Sequence, residues 1–215
     1  MSDLHGEFEK FLNMLDEIEF SSNDKLVILG DVIDRGLESV PLLQYIMQHK
    51  NMELLLGNHE HMLLKSLIDE DVRYYHCWIN NGGISTLSQF ESLSPEEQID
   101  IIKYLQNCRL YKILDRYIFS HAGVDASVYT KITDIEEFMS KQNTEYLLWN
   151  QSFFNSQPLD KYTVIFGHVP TCHLNSDKSL NIWHGENKIG IDCGACFYGG
   201  KLSCLRLDDM KEFYV

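Results

Sequence analysis

The spacing of apolar residues changes in a regular order over the first seventy positions. Phe8, Phe11, Leu12, Leu15 and Ile18 recur at helical intervals with Glu and Lys between them, and a polar run over 21–24 ends the pattern. Leu26 to Leu29 is a continuous apolar stretch of buried-strand type. Val40, Leu42, Leu43, Ile46 and Met47 return to helical spacing. Met52 to Leu56 reads as a second strand, and Met62, Leu63, Leu64, Leu67 and Ile68 mark a third helix. Strand alternating with helix predicts parallel strands with helices on the sheet faces.

The middle of the chain has a different texture. "WINNGGISTLSQF" is broken at Gly82–Gly83 and then turns helical. In "SPEEQIDIIKYLQN", Ser94 is placed as N-cap, Pro95 at the first helical position and Glu97 to close a capping box. From Leu110 onward short strands are expected in "LYKIL", "YIFSHAG" and "TVIFGHVP". The Gly- and Asp-punctuated end, "IGIDCGACFYGGKLSCLRLDDMKEFYV", predicts a strand-rich and largely antiparallel terminus. The length, 215 residues, suits one domain spanning 1–215. Residues 70–110 are read as a helical insertion over its core.

Composition narrows the function classes. The net charge of −14 argues against non-specific nucleic-acid binding, and an anionic substrate needs a local reversal of sign, which a bound cation supplies. No apolar run reaches the roughly 18–20 residues of a membrane helix, and the acidic first twenty residues do not resemble a signal peptide. Six scattered cysteines read as reduced thiols, so a cytoplasmic location is expected. Cys193 and Cys196 form a C-x-x-C, but no second pair of ligands accompanies them. Buried small side chains are the simpler reading.

Three junctions in the first sixty residues place polar clusters after apolar runs or at turns: "SDLHG" (2–6), "GDVIDRG" (30–36) and "GNHE" (57–60). The gaps, 24 residues between His5 and Gly30 and 22 between Asp34 and Gly57, each fit one crossover helix and one strand. In a parallel sheet such clusters fall at the carboxyl ends of strands, where open α/β folds bind ligands. His121 in "FSHAG" and His168 in "IFGHVP" add two further strand-end imidazoles. Carboxylate and imidazole donors suit manganese, iron or zinc. Taken singly, a strand-end Asp is often a helix cap, a lone His is often a hydrogen-bonded core residue, and Arg35 is a plain ion-pair partner.

Taken in order, "SDLHG", "GDVIDRG", "GNHE", "HAG" and "GH" resemble the phosphoprotein phosphatase family of binuclear metallophosphoesterases. The resemblance is closest to its phage and bacterial branch, which includes small Ser/Thr protein phosphatases and symmetrical diadenosine tetraphosphate hydrolases. "NGGISTL" and the C-terminal glycine-rich stretch resemble that branch as well, and the match runs from residue 2 to about residue 207. The resemblance implies an α/β (in some schemes α+β) calcineurin-like fold, with central mixed β-sheets flanked by helices. It implies two divalent cations, manganese first, with iron, zinc or nickel as alternatives. Asp3, His5 and Asp31 would hold one, and Asp31, Asn58, His121 and His168 the other. An oxygen shared by the two cations would then attack phosphorus in line. His59 would protonate the leaving oxygen, Asp34 would orient His59, and Arg35 would bind phosphate oxygens in bidentate fashion.

Two departures from the family pattern stand out. The apolar strand before the first motif is nearly absent, because the chain starts at Met1. An open sheet edge, a loosened first metal site and a start further upstream are therefore expected. Gln151, in "LLWNQSF", stands where bacterial relatives carry a second phosphate-binding arginine, which predicts weaker binding of a monoester phosphate. The leading expectation is a phosphatase of phosphoserine or phosphothreonine proteins, tolerating phosphotyrosine. The alternatives are a dinucleoside polyphosphate hydrolase, with a phosphorylated small molecule as substrate, and a phosphate-binding module of weak activity.

Overall fold

The computed structural model describes residues 1–129 and 134–215. Helix α1 (Phe8–Glu17) buries Phe11, Met14 and Leu15 on one face. Strand β1 (Leu26–Ile28) pairs in parallel with β2 (Met52–Leu54), Leu26 opposite Met52, across the crossover helix α2 (Ser39–Gln48). Helix α3 (Asn58–Leu67) follows β2 directly. The expected strand–helix alternation is therefore present, and it delivers "GDVIDRG" and "GNHE" to the same end of the pair.

The edge of β1 left open by the sequence reading is covered. Residues 1–6 run beside it without forming a regular strand. Leu29 N–H donates to Met1 O, Asp3 N–H to Gly30 O, His5 N–H to Asp31 O and Gly6 N–H to Val32 O. The Met1 amino group donates to Val27 O at 3.1 Å, and the Met1 side chain is buried. These bonds tie the first motif to the second.

Residues 72–107 are mainly helical: α4 (Val72–Trp78), α5 (Ile84–Glu91) and α6 (Pro95–Asn107), with a kinked turn at Gly82 between the first two. Ser94 caps α6 as expected, its hydroxyl accepting from Glu97 N–H while the Glu97 carboxylate accepts from Ser94 N–H.

Strands β3 (Tyr111–Leu114), β4 (Tyr117–Ser120), β5 (Thr163–Phe166), β6 (Trp183–Gly185) and β7 (Lys188–Gly190) form a second sheet in the order β3-β4-β5-β7-β6. Its centre, β4-β5-β7, is parallel, and its two edges are antiparallel. A hairpin of β8 (Ser203–Arg206) and β9 (Lys211–Tyr214) ends the chain. Short helices α7 (Ile135–Ser140) and α8 (Thr144–Trp149) lie between β4 and β5. They are capped by Asp134 and Asn143, a pair of elements that apolar spacing alone did not announce. Among the described residues no helix is long and apolar enough to cross a membrane.

Candidate metal and phosphate site

Two glycines set the spacing at the strand ends. Gly30 has φ of 89°, and a Cβ there would lie 2.5 Å from Gly57 Cα; a Cβ on Gly57 would lie 2.2 Å from Asp31 Oδ1. Only glycines let the two loops approach this closely. Asp3, His5, Asp31, Asp34, Arg35 and His168 all hold left-handed backbone, with φ between 46° and 74°. Such conformations cost about 1–3 kcal/mol each and cluster where function requires them.

Asp31 is the centre of the cluster. Its Oδ2 lies 3.5 Å from His121 Nε2, 3.8 Å from His5 Nε2 and 3.9 Å from His59 Nε2, and its Oδ1 accepts from His59 N–H at 3.0 Å. Burial, then the neighbouring carboxylates of Asp3 and Glu60, push the Asp31 carboxyl well above its ordinary range. Asp192, also buried, is raised in the same way by burial and by Asp3.

The donor chemistry fits cations. His121 Nδ1–H donates to Leu29 O at 2.7 Å, which leaves Nε2 as a lone pair. That lone pair faces Asn58 Oδ1 at 2.8 Å: acceptor against acceptor, an arrangement that a cation resolves. His168 Nδ1 lies 3.0 Å from the same Asn58 oxygen and 3.2 Å from His121 Nε2. His5 repeats the pattern: Nδ1–H donates to Ile33 O at 2.9 Å, which leaves Nε2 as a lone pair, here accepting from Arg35. Ligand atoms of Asp31, His121 and His168 lie within 4.8 Å of one another, as do those of His5, Asp31 and His59. Asp3 sits behind this set; its Oδ2 accepts from His168 N–H at 3.0 Å and from the Ser2 hydroxyl. Burial drives His5 well below its ordinary value and His168 down to about 2, with neighbouring His and Arg35 charges acting in the same direction. Neutral imidazoles are the form that binds metals.

His59 and Asp34 meet at 2.5 Å, Nδ1 to Oδ2. Burial pushes the Asp34 carboxyl up to about 7, opposed by hydrogen bonds from Thr86 and Trp78, and the same burial holds His59 well below its usual value. Arg35 is exposed and donates from Nη1 to His5 Nε2 at 2.6 Å and from Nη2 to His59 Nε2 at 3.1 Å. Its N–H donates to Gly82 O at 3.1 Å, so the Gly82–Gly83 break borders the site. Gln151 is exposed just beyond α8, two residues from Trp149, whose ring meets His168 edge-on at 6.5 Å.

Two residues escaped the sequence reading. Glu60 is fully buried, and its carboxylate accepts from Asp31, Val32, Ile33 and Gly57 N–H, splinting the loops after β1 and β2. Its place in "GNHE" was the available signal. Trp78 donates to Asp34; nothing in its local pattern announces that contact.

The calcineurin-like phosphoesterase family model matches residues 1–200. The chain is 24% identical to the asymmetrical bis(5'-nucleosyl)-tetraphosphatase PrpE of Halalkalibacterium halodurans, covering 98% of this chain and 90% of that protein. It is also 24% identical to the symmetrical bis(5'-nucleosyl)-tetraphosphatase of Buchnera aphidicola subsp. Baizongia pistaciae, covering 99% of this chain and 95% of that one. A solved structure named as a candidate diadenosine tetraphosphatase superposes with a TM-score of 0.67 at 19% identity, covering all of this chain and 90% of that one. A cold-active protein-tyrosine phosphatase of a Shewanella species gives 0.60 at 15% identity over all of this chain and 78% of the other, a likeness of fold alone.

These relatives overturn the expectation of a phosphoserine or phosphothreonine protein phosphatase. The physical reason is that both substrate classes are cleaved at phosphorus, so motifs matching a phosphoesterase family do not distinguish them. The motifs therefore encode the chemistry and not the leaving group. The expectation of a metal-dependent phosphoester hydrolase stands on the family match: this chain belongs to the calcineurin-like phosphoesterases.

Proposed function

We propose that the protein hydrolyses bis(5'-nucleosyl) tetraphosphates such as diadenosine tetraphosphate. The observation that carries the hydrolytic reading is the confrontation of lone pairs at His121 Nε2 and Asn58 Oδ1 beside the buried Asp31 carboxylate. The substrate class is supported by the names of relatives that span nearly the whole chain. Asp3, His5 and Asp31 would hold one divalent cation, and Asp31, Asn58, His121 and His168 a second, with manganese the first to test. When bound, such a pair supplies Lewis-acid polarisation of phosphate oxygens and an acidified water. Arg35 would bind and orient the phosphate chain through its planar fork. Once the phosphate chain draws Arg35 off His59 Nε2, a proton taken up there would pass to the leaving phosphate oxygen, while Asp34 holds Nδ1 and fixes the ring. Gln151 would offer a neutral donor where an arginine is expected. All six cysteines are free, which agrees with a reducing, cytoplasmic location as part of the same proposal.

The test is a comparison of substrates with manganese-loaded protein: diadenosine tetraphosphate, a phosphoserine peptide and p-nitrophenyl phosphate, with products separated by chromatography. Nucleotide release from the first at the highest kcat/KM is expected. A phosphopeptide cleaved faster than the dinucleotide, or no turnover of any of the three, contradicts the proposal.

A further inference from the structure

We propose that Phe197 and Tyr198 form a stacking platform for a nucleobase at the rim of the phosphate site. The inference rests on the dinucleotide reading above and assigns the part of the substrate that the metal and phosphate residues leave unread.

Phe197 is 44% exposed and Tyr198 is fully exposed, two consecutive aromatic rings left in water. Single exposed apolar residues are ordinary; two consecutive exposed aromatics, the first of them beside an anion-binding guanidinium, point to a ligand. The Phe197 ring lies 5.9 Å from the Arg35 Cζ, so the platform adjoins the guanidinium assigned to the phosphate chain.

The loop that carries the rings is held firmly. Gly194 turns it with φ of 71°, and a Cβ there would come within 2.9 Å of the Phe197 ring. Phe197 N–H donates to Gly194 O at 2.8 Å, Gly200 N–H to Phe197 O at 2.9 Å and Lys201 N–H to Cys193 O at 3.0 Å, while Lys10 Nζ donates to Ala195 O at 2.5 Å. The backbone under both rings is thus an ordered turn and the Phe197 ring packs on Gly194, and a preorganised ring binds with less loss of entropy than a floppy one.

Bases stack on aromatic side chains with little regard to sequence because every base has a π-face. A nucleotide holds its base away from the phosphates by a sugar. A ring surface beside the phosphate-binding arginine, rather than on the floor of the metal cluster, matches that geometry. A phosphotyrosine ring, bonded directly to the phosphate, would instead sit on the floor.

Isothermal titration of manganese-loaded protein with ADP and with inorganic pyrophosphate tests the platform without requiring turnover. The wild type is expected to bind ADP about tenfold more tightly than pyrophosphate. The Phe197→Ala/Tyr198→Ala variant is expected to bring that ratio close to one, and Phe197→Trp to keep it, which separates stacking from a misfolded loop. Equal wild-type affinities, an unchanged ratio in the double variant, or a preference for phosphotyrosine over phosphate without one for ADP over pyrophosphate would overturn the inference. A wild type that prefers ADP yet leaves diadenosine tetraphosphate intact would sink the hydrolase proposal alone.

Discussion

Trp78 donates its indole N–H to both carboxylate oxygens of Asp34, at 3.0 and 2.9 Å, while Oδ2 of that carboxylate faces His59 Nδ1 at 2.5 Å. The helix α4 thereby reaches into the strand-end cluster through one side chain. Trp78→Phe keeps most of the buried ring and removes the donor. A hydrogen bond to a charged group contributes about 1.5–3 kcal/mol, so kcat toward diadenosine tetraphosphate should fall by roughly ten- to a hundredfold. Steady-state kinetics would read it, and a kcat within twofold of wild type would show that His59 is oriented without Trp78.

Glu60 carries four backbone N–H groups from two loops on one carboxylate. Glu60→Ala strands those donors in a buried place. A loss of at least about 3 kcal/mol is expected, or roughly 6–12 °C in Tm for a chain of this size, together with loss of bound manganese measured by elemental analysis. A variant that melts normally and retains its metal would contradict the role.

Gln151→Arg introduces a cation at an exposed position two residues beyond Trp149, whose ring meets His168. The expected outcome is a rise in kcat/KM for the dinucleotide of about fivefold or more at low salt, shrinking as ionic strength increases. An unchanged kcat/KM at all salt concentrations would mean that position 151 does not reach the phosphate chain.

The parts of this molecule that were legible in the sequence share a physical cause. Leu26–Leu29 and Met52–Leu56 bury every residue but the half-buried Val27 and Glu53, so apolar runs revealed them, and glycines at 30 and 57 marked the loop crossings that no side chain could occupy. Asp31, Asn58, His59, His121 and His168 are polar residues directly following such runs, which made them visible as a set. The rest depends on packing. Short α7 and α8 are signalled by caps at Asp134 and Asn143 more than by apolar spacing. Residues 1–6 cover the β1 edge through backbone bonds that any residue could make. The bond from Trp78 spans 44 positions, and its neighbours give no hint of it. The leaving group was illegible because the motifs are those of a phosphoesterase family whose members differ in what the phosphorus carries.

His61 is buried in α3 against Tyr74 with Nδ1 unpartnered, and burial lowers its pKa below the ordinary value. Between the folded and unfolded pKa values the unfolded chain binds the extra proton, so stability falls as pH drops below about 6.5. The buried His5, His59 and His168 act with the same sign. His61→Phe removes one contributor and an unsatisfied nitrogen while keeping the ring contact. A gain of about 1 kcal/mol at pH 7, near 2–4 °C in Tm, and a smaller drop in Tm between pH 7 and pH 5 are expected. Melting curves parallel to wild type across that range would contradict the assignment.

The central claim is that one carboxylate, Asp31, joins two cation sites built from separate loops. Anomalous diffraction from a manganese-soaked crystal addresses it directly. Two manganese peaks flanking Asp31 are expected, one on the side of His121, His168 and Asn58 and the other on the side of His5 and Asp3. No peak at Asp31, or manganese bound only elsewhere on this acidic surface, would contradict it.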